Sequence, residues 1–312
     1  MKLWRHQVEA IEVCAAAHQG ERSRVLVQFP TGTGKSEVAI QVALQWLAAH
    51  AFGRVLIVVP TSPILQQFRR RLAQVTRTPI AIDQAELHAP RSARLVLASQ
   101  NSLWDRLPQY RRDVLVIYDE CHHSNLDADE NLRIATSFDH VVGMTASPWS
   151  RGCLALFGGA ARVRLGLDEA QARGILARHE LRPWAPPQGP HGIVFCASNS
   201  ECAELSRAHP GSTWVGVNSG QVPERIAAWK AGRHGVIYAN RMLLEGFDEP
   251  RCGNVWIARS TESDIMYVQM VGRCLRFAVG KVARIYYQSE EIRAGLERAL
   301  DRARVGPDSS PI

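Results

Sequence analysis

The stretch Val25-Leu26-Val27-Gln28-Phe29-Pro30-Thr31-Gly32-Thr33-Gly34-Lys35-Ser36 runs apolar, breaks at a glycine-rich turn and passes into a helical pattern from Glu37 to His50. Gly32 and Gly34 let backbone N–H groups close around an anion, and the helix that follows points the positive end of its dipole into the same space. Within the turn, Pro30, Thr31 and Thr33 belong to the same phosphate cradle. Lys35 is placed to reach the β- and γ-phosphates of a nucleotide, and the Ser36 hydroxyl to ligate Mg²⁺. The strict pattern G-x-x-x-x-G-K-[ST] has glycine where this chain has Phe29, so the strand-turn-helix setting carries the assignment. An ordinary glycine turn would leave Lys35-Ser36 unexplained.

Outward from this turn the same rhythm repeats. Trp4 to Ala17 alternates as an amphipathic helix, with Trp4, Val8, Ile11 and Ala15 on one stripe. Apolar runs at Val55–Val59, Leu95–Ala98, Val114–Tyr118 and Val141–Met144 read as strands, alternating with helical stretches at Lys35–His50 and Ile64–Gln74. That alternation predicts an α/β fold, a mostly parallel sheet flanked by helices, with ligands at the carboxyl ends of the strands. From Arg151 to Pro190 the pattern lapses; Asp168–Arg178 looks helical, and Pro183-Trp184-Ala185-Pro186-Pro187-Gln188-Gly189-Pro190 cannot be regular structure. Residues 151–190 are therefore expected to be a linker between a first domain, 1–150, and a second, smaller α/β domain, 191–290. The second domain is read from strands at Ile193–Cys196, Thr213–Val217, Val236–Ala239, Val255–Ala258 and Arg284–Tyr287. Helices are expected at Ser200–Ala208, Pro223–Ala231 and Asp264–Phe277. Residues 291–312 form a tail in which Glu290–Arg304 could dock as a helix on Ile292, Leu296, Ala299 and Ala303.

Composition bounds the function classes. The 312 residues are 46% hydrophobic and 21% charged, with a formal net charge of +7, which fits globular domains and favours a polyanionic partner without proving one. No apolar run is long enough to span a bilayer and the first residues lack a signal peptide's apolar core, so a cytoplasmic protein is expected. Seven scattered cysteines with no C-x-x-C pair are expected to be reduced and structural.

Val114-Leu115-Val116-Ile117-Tyr118-Asp119-Glu120-Cys121-His122 ends a buried strand in two adjacent carboxylates. Asp119 would hold Mg²⁺, directly or through water, opposite Ser36, and Glu120 would orient and deprotonate an attacking water. His122 either senses the γ-phosphate or caps the loop. A solvated turn is the plain alternative for the carboxylates, weakened by Lys35-Ser36 in the same domain.

Together, Pro30-Thr31-Gly32-Thr33-Gly34-Lys35-Ser36 and Asp119-Glu120-Cys121-His122 resemble the signature of superfamily 2 helicases of the DExH type, closest to the Rad25-like, phage-repair and restriction-subunit members. The likeness extends along almost the whole chain in the family's order. Leu3-Trp4-Arg5-His6-Gln7 resembles the element in which a glutamine reads the adenine edge, implying Gln7 and Arg5 there. Val59-Pro60-Thr61-Ser62 resembles motif Ia, and Ala98-Ser99-Gln100-Asn101 a further strand-contacting element. Gly143-Met144-Thr145-Ala146-Ser147-Pro148 is similar to motif III, Ile193-Val194-Phe195-Cys196-Ala197-Ser198 to motif IV, Leu243-Leu244-Glu245-Gly246-Phe247-Asp248 to motif V, and Gln269-Met270-Val271-Gly272-Arg273-Cys274-Leu275-Arg276 to motif VI. Where motif V relatives commonly carry threonine, this chain has Asn240-Arg241.

The resemblance implies two tandem RecA-like domains, ATP and Mg²⁺ as ligands, and a nucleic-acid-stimulated ATPase coupled to movement along a strand. It implies Gly246 and Asp248 at the nucleotide, and Gln269, Arg273 and Arg276 as catalytic partners of Lys35, Asp119 and Glu120. On a helix, Arg273 and Arg276 would share a face, and their planar guanidinium groups suit a phosphoryl group in transfer. Thr61, Gln100, Ser198 and Asn240 are candidate contacts to strand phosphates, though each could equally cap a helix. Trp149 could stack on a base or pack in a core. A DNA helicase or translocase is the leading expectation, with an RNA helicase and a non-hydrolysing scaffold of the same fold as the alternatives. A monomer is the simplest expectation, with a protein partner as a source of targeting, and no strand-splitting insertion, zinc cluster or nuclease motif is read in the chain.

Overall fold

Strand β1 (Ser23–Gln28) is built from the apolar run that precedes the glycine turn, and it is buried along nearly its whole length. The same holds for β2 (Arg54–Val59), β4 (Leu95–Ser99), β5 (Val114–Asp119) and β6 (His140–Thr145). Continuous Val/Ile/Leu runs of this kind belong to parallel strands covered on both faces. The computed structural model describes residues 3–103, 106, 110, 114–123, 137–244 and 246–304. With β3 (Ile80–Asp83) and β7 (Ala161–Arg164), these strands form a seven-stranded sheet in the order β3-β4-β2-β5-β6-β1-β7, with every pairing parallel. Register aligns Gln28 with Thr145 and Asp119 with Met144, so the turn after β1 and the carboxylates after β5 leave the sheet at one edge.

Helices α1 (Arg5–Ala17), α2 (Lys35–Ala49) and α3 (Ser62–Val75) cover this sheet. One core cluster gathers Leu26, Leu56, Val58, Val116, Tyr118 and Phe157 among others. A short helix, α4 (Gln100–Leu103), follows β4.

Beyond Leu165 the chain enters a second compact unit, with the turn residues Pro30–Thr33 grouped with it and Met1–Phe29 and Gly34–Leu165 making the first. The second sheet has six parallel strands: β8 (Arg178–Pro183), β9 (Gly192–Phe195), β10 (Ser212–Val215), β11 (Val236–Ala239), β12 (Asn254–Ile257) and β13 (Val282–Tyr287), ordered β10-β11-β9-β12-β13-β8. Its core packs Val194, Cys196, Tyr238 and Trp256, and the Trp256 and Tyr286 rings stack at 4.8 Å.

Three expectations are corrected. Residues 151–190 are not a linker: they supply helix α5 (Arg151–Phe157), edge strand β7 of the first sheet, helix α6 (Leu167–Ala172) and edge strand β8 of the second. Edge strands bond on one side only and stay half exposed, so Ala161-Arg162-Val163-Arg164 and Arg178-His179-Glu180-Leu181-Arg182-Pro183 carry no apolar run for a sequence pattern to detect. Strand β3 (Ile80-Ala81-Ile82-Asp83) is likewise not expected from the sequence, because four residues at a sheet edge make too short a run to stand out. Finally, after helices α7 (Asn199–Ala208) and α8 (Val222–Lys230), the helix expected over Asp264–Phe277 ends at Gly272, as α9 (Asp264–Gly272). The tail helix α10 (Glu290–Arg304) forms as expected and packs on α9, where its Arg298 and Arg302 both pair with Asp264 at 2.8 and 2.6 Å. Among the described residues no helix is long and apolar enough to cross a membrane. All seven cysteines are buried and free of disulfides.

Candidate functional site

The glycine turn owes its shape to two residues that only glycine serves well. Gly32 has φ 91° and Gly34, the N-cap of α2, has φ 87°, both in the left-handed region. A Cβ at Gly34 would also run into the Gln7 side-chain amide, so the upstream glutamine lies directly against the turn. Gln7 is itself held by the Trp4 N–H, which donates to Gln7 Oε1 at 2.9 Å. Thr33 Oγ1 donates to the Pro30 carbonyl at 2.8 Å, bracing the loop. Thr31 and Ser36 are half-buried. Phe29, the departure from the strict pattern, is fully buried, its ring edge-on to His6 of α1 at 5.0 Å. Position 29 is therefore a core position. Arg5 does not join this group: it is exposed and pairs with Glu9 at 2.8 Å.

Lys35 is 7% exposed, and its Nζ donates to the Phe29 carbonyl at 3.2 Å and lies 3.7 Å from Glu120 Oε1. Asp119 closes β5 and is buried. Glu120 follows with φ 49°, a conformation that a non-glycine residue adopts at a cost of about 1 kcal/mol or more. That turn aims its carboxylate back at Lys35 and at His122, whose Nδ1 lies 3.3 Å from Oε2. The His122 Nδ1 is also 2.8 Å from Thr145 Oγ1 at the end of β6, and that hydroxyl accepts the Ser147 N–H at 3.0 Å. With its hydrogen on Nδ1, His122 donates to both oxygens. Burial alone would raise the Glu120 pKa, but the Lys35 charge and the His122 hydrogen bond outweigh it and hold the carboxyl well below the usual carboxylate range. A connected line Lys35–Glu120–His122–Thr145 thus joins four strand or helix ends of the first unit. Thr145 is the member that residue-by-residue reading overlooked, although its motif was recognised.

In the second unit, Arg273 and Arg276 do not share a helix face. The turn after Gly272 tightens through bonds from Arg273 N to Met270 O and Cys274 N to Val271 O, and the chain leaves to bridge Arg276 with Leu176. Arg273, 8% exposed, donates from Nη1 to the Phe247 carbonyl at 2.5 Å. Arg276 Nε pairs with Asp248 Oδ1 at 2.6 Å. Two lysines fasten the same loop. Lys230 donates to the Asp248 carbonyl at 2.8 Å with its Nζ 5.0 Å from the Phe247 ring centroid, and Lys281 donates to the carbonyls of Pro250 and Arg276 at 2.8 and 2.7 Å. Gly246, at φ 64°, starts the turn, while Glu245 lies outside the described residues. Gln269 is buried in α9. No sequence signal marked Lys230 or Lys281, since single lysines carry no pattern.

The candidate strand contacts divide. Thr61 precedes α3 with a buried Oγ1 that has no partner. Gln100 Nε2 donates to the His123 carbonyl at 3.3 Å. Ser198 is occupied as the N-cap of α7 (Asn199–Ala208), accepting the Glu201 N–H at 3.1 Å. Asn240 Oδ1 accepts from Arg259 Nη1 at 2.5 Å. Trp149 is half-buried.

Known proteins resemble this chain in sequence and in fold. Residues 1–150 match the family model described as Type III restriction enzyme, res subunit. A mouse protein, ATP-dependent RNA helicase DHX58, is 28% identical over 174 residues, covering 47% of this chain and 25% of that protein. The chain therefore spans about a quarter of that relative. Among solved structures, the ATP-dependent Type ISP restriction-modification enzyme LlaBIII bound to DNA superposes with a TM-score of 0.77 at 15% identity, covering 96% of this chain and 30% of the enzyme. Saccharomyces cerevisiae Dbp5 bound to RNA and ADP BeF3 gives 0.70 at 15% identity, covering 98% and 89%. At these identities the likeness to the structures speaks for the fold, tandem RecA-like domains.

Proposed function

We propose that the chain, which resembles the superfamily 2 helicase-like proteins, is a nucleic-acid-stimulated ATPase that couples hydrolysis to movement along a strand, with DNA as the favoured track. The observation that carries this reading is the line Lys35–Glu120–His122–Thr145 beside the glycine turn. It sets a cation, an ionised carboxylate and a motif III hydroxyl at the carboxyl edge of one sheet, where such folds bind ligands.

The donors suit Mg²⁺·ATP: Asp119 and Ser36 offer the hard oxygen ligands that Mg²⁺ takes alongside substrate phosphates. The bound ion would neutralise charge on the transferring phosphoryl group. Lys35 would bind the phosphates, exchanging the Phe29 carbonyl for them. Glu120, ionised at neutral pH, would orient a water and accept its proton. Gln7 would bear on the base. Arg273 and Arg276 would stabilise charge on the phosphoryl group, as arginine fingers worth about 10³ to 10⁵ in rate. Thr61 and Gln100 would position strand phosphates without reading sequence.

ATP hydrolysis measured with no polymer, single-stranded DNA, duplex DNA and RNA tests the reading. Stimulation by DNA above RNA supports it, and hydrolysis in none of the four overturns it. An RNA track is the second reading, favoured by the name of the mouse relative, and would show as stimulation by RNA alone.

A further inference from the structure

Three neighbouring strands of the second sheet end at one level. Phe195 of β9 pairs with Ala239 of β11 on one side and Ile257 of β12 on the other, so Asn240-Arg241 and Ala258-Arg259 emerge together at the carboxyl edge. Arg259 is half-buried there. Its Nη1 donates to Asn240 Oδ1 at 2.5 Å, and its Nε is buried with no partner. Among the described residues no carboxylate lies within ion-pair distance of Arg259 or Arg241. Burial and then the charge of Arg241 both press on the Arg259 guanidinium, lowering its pKa. A partly buried cation faced by a second cation is unfavourable until an anion joins them. The Asn240 contact holds one corner of the guanidinium, Nη1, while Nε has no partner, and a planar guanidinium is suited to the oxygens of a phosphate.

We propose that Arg259, oriented by Asn240 and assisted by Arg241, is a binding site for a phosphate oxyanion, supplied by the phosphodiester backbone of a nucleic acid strand. This assignment rests on the nucleic-acid reading above. It also gives Asn240 a role that its motif alone left open, as the residue that aims an arginine.

The test titrates labelled single-stranded DNA against the wild-type chain and against Arg259→Gln, Arg259→Lys, Arg241→Gln and, as a control of equal charge change, Arg207→Gln on the exposed end of α7. Each is measured at several salt concentrations, with nucleotide binding and thermal melting followed in parallel. Arg259→Gln is expected to weaken strand binding about tenfold and to reduce the slope of log affinity against log salt by about 0.7, the share of one phosphate on a single strand. Arg259→Lys, which keeps the charge and can still donate to Asn240, falls between, while Arg207→Gln keeps the wild-type slope and nucleotide binding is unchanged throughout. Wild-type slopes for both Arg259 variants, with strand binding intact, overturn the site and leave the proposed function standing. Absence of strand binding by the wild type overturns both. Protection of the wild type but not Arg259→Gln by inorganic phosphate in the melts, with an unchanged strand slope, reassigns the site to free phosphate and overturns the strand source.

Discussion

Glu120 combines a left-handed backbone, an ion pair to Lys35 and a bond to His122, and each of these serves the aim of one carboxylate. Glu120→Gln keeps the shape and removes the proton acceptor, so nucleotide binding should persist while turnover falls about 10²- to 10⁴-fold; equilibrium binding and single-turnover hydrolysis check this. Gly34→Ala meets both a positive φ and the Gln7 amide, and should cost on the order of 1–2 kcal/mol and abolish nucleotide binding, as read by thermal melting and by titration with a fluorescent ATP analogue. Lys281→Met removes the tie between the Pro250 and Arg276 carbonyls. Its expected effect is a lower kcat with little change in KM, and an equal change in both would reduce Lys281 to a structural residue. At this scale the candidate site was legible where residue type and spacing coincide: Lys35, Asp119, Glu120 and Gln7 stand out because a glycine turn and a strand end frame them. Thr145, Lys230, Lys281 and Arg259 were not, because their meaning lies in contacts between segments distant in sequence.

At the scale of elements, burial decided what could be read. β1, β2, β4, β5 and β6 announce themselves because helices cover both faces, whereas the edge strands are only partly buried, β3 and β7 running just four residues and β7 and β8 carrying no apolar run. The linker expectation failed on that account, and the motif VI helix ends earlier than expected because bonds from Arg273 N to Met270 O and from Cys274 N to Val271 O tighten the turn after Gly272 before the chain reaches its bridge to Leu176. The packing of α1, α2 and β6 yields a prediction of its own. His18, at the end of α1, lies 5.2 Å from the Trp46 ring of α2 and 5.7 Å from His140 of β6. Burial first, then His140 and His50, push the His18 pKa down to about 4 from its ordinary 6.5, with Arg24 and Asp139 bearing on His140 from the adjoining strand and loop. The unfolded chain therefore takes up this proton before the folded one does. Stability from His18 is complete above pH 6.5 and is lost as the pH falls toward 4. The melting temperature should fall across that window, and His18→Phe should flatten the fall; an unchanged pH profile in the variant would contradict the assignment.

At the scale of the whole molecule, the division into two α/β units was legible because the strand–helix rhythm stops and restarts, and the order of motifs along the chain resembles that of superfamily 2 helicases. What the rhythm could not supply was the boundary, which falls between Leu165 and Gly166. Each unit carries a connected polar group: Lys35, Glu120, His122 and Thr145 in the first, and Asp248, Arg273, Arg276, Lys230 and Lys281 in the second. The account holds that one hydrolytic reaction uses both. Arg273→Ala should then bind ATP and fail to turn it over, matching Glu120→Gln, even though no motif of the first unit is altered. The most direct measurement is polymer-stimulated ATP hydrolysis by the wild type, Glu120→Gln and Arg273→Ala side by side, with ATP binding measured on the same preparations. The account predicts DNA-stimulated turnover in the wild type and retained binding without turnover in both variants; normal hydrolysis by Arg273→Ala would contradict it.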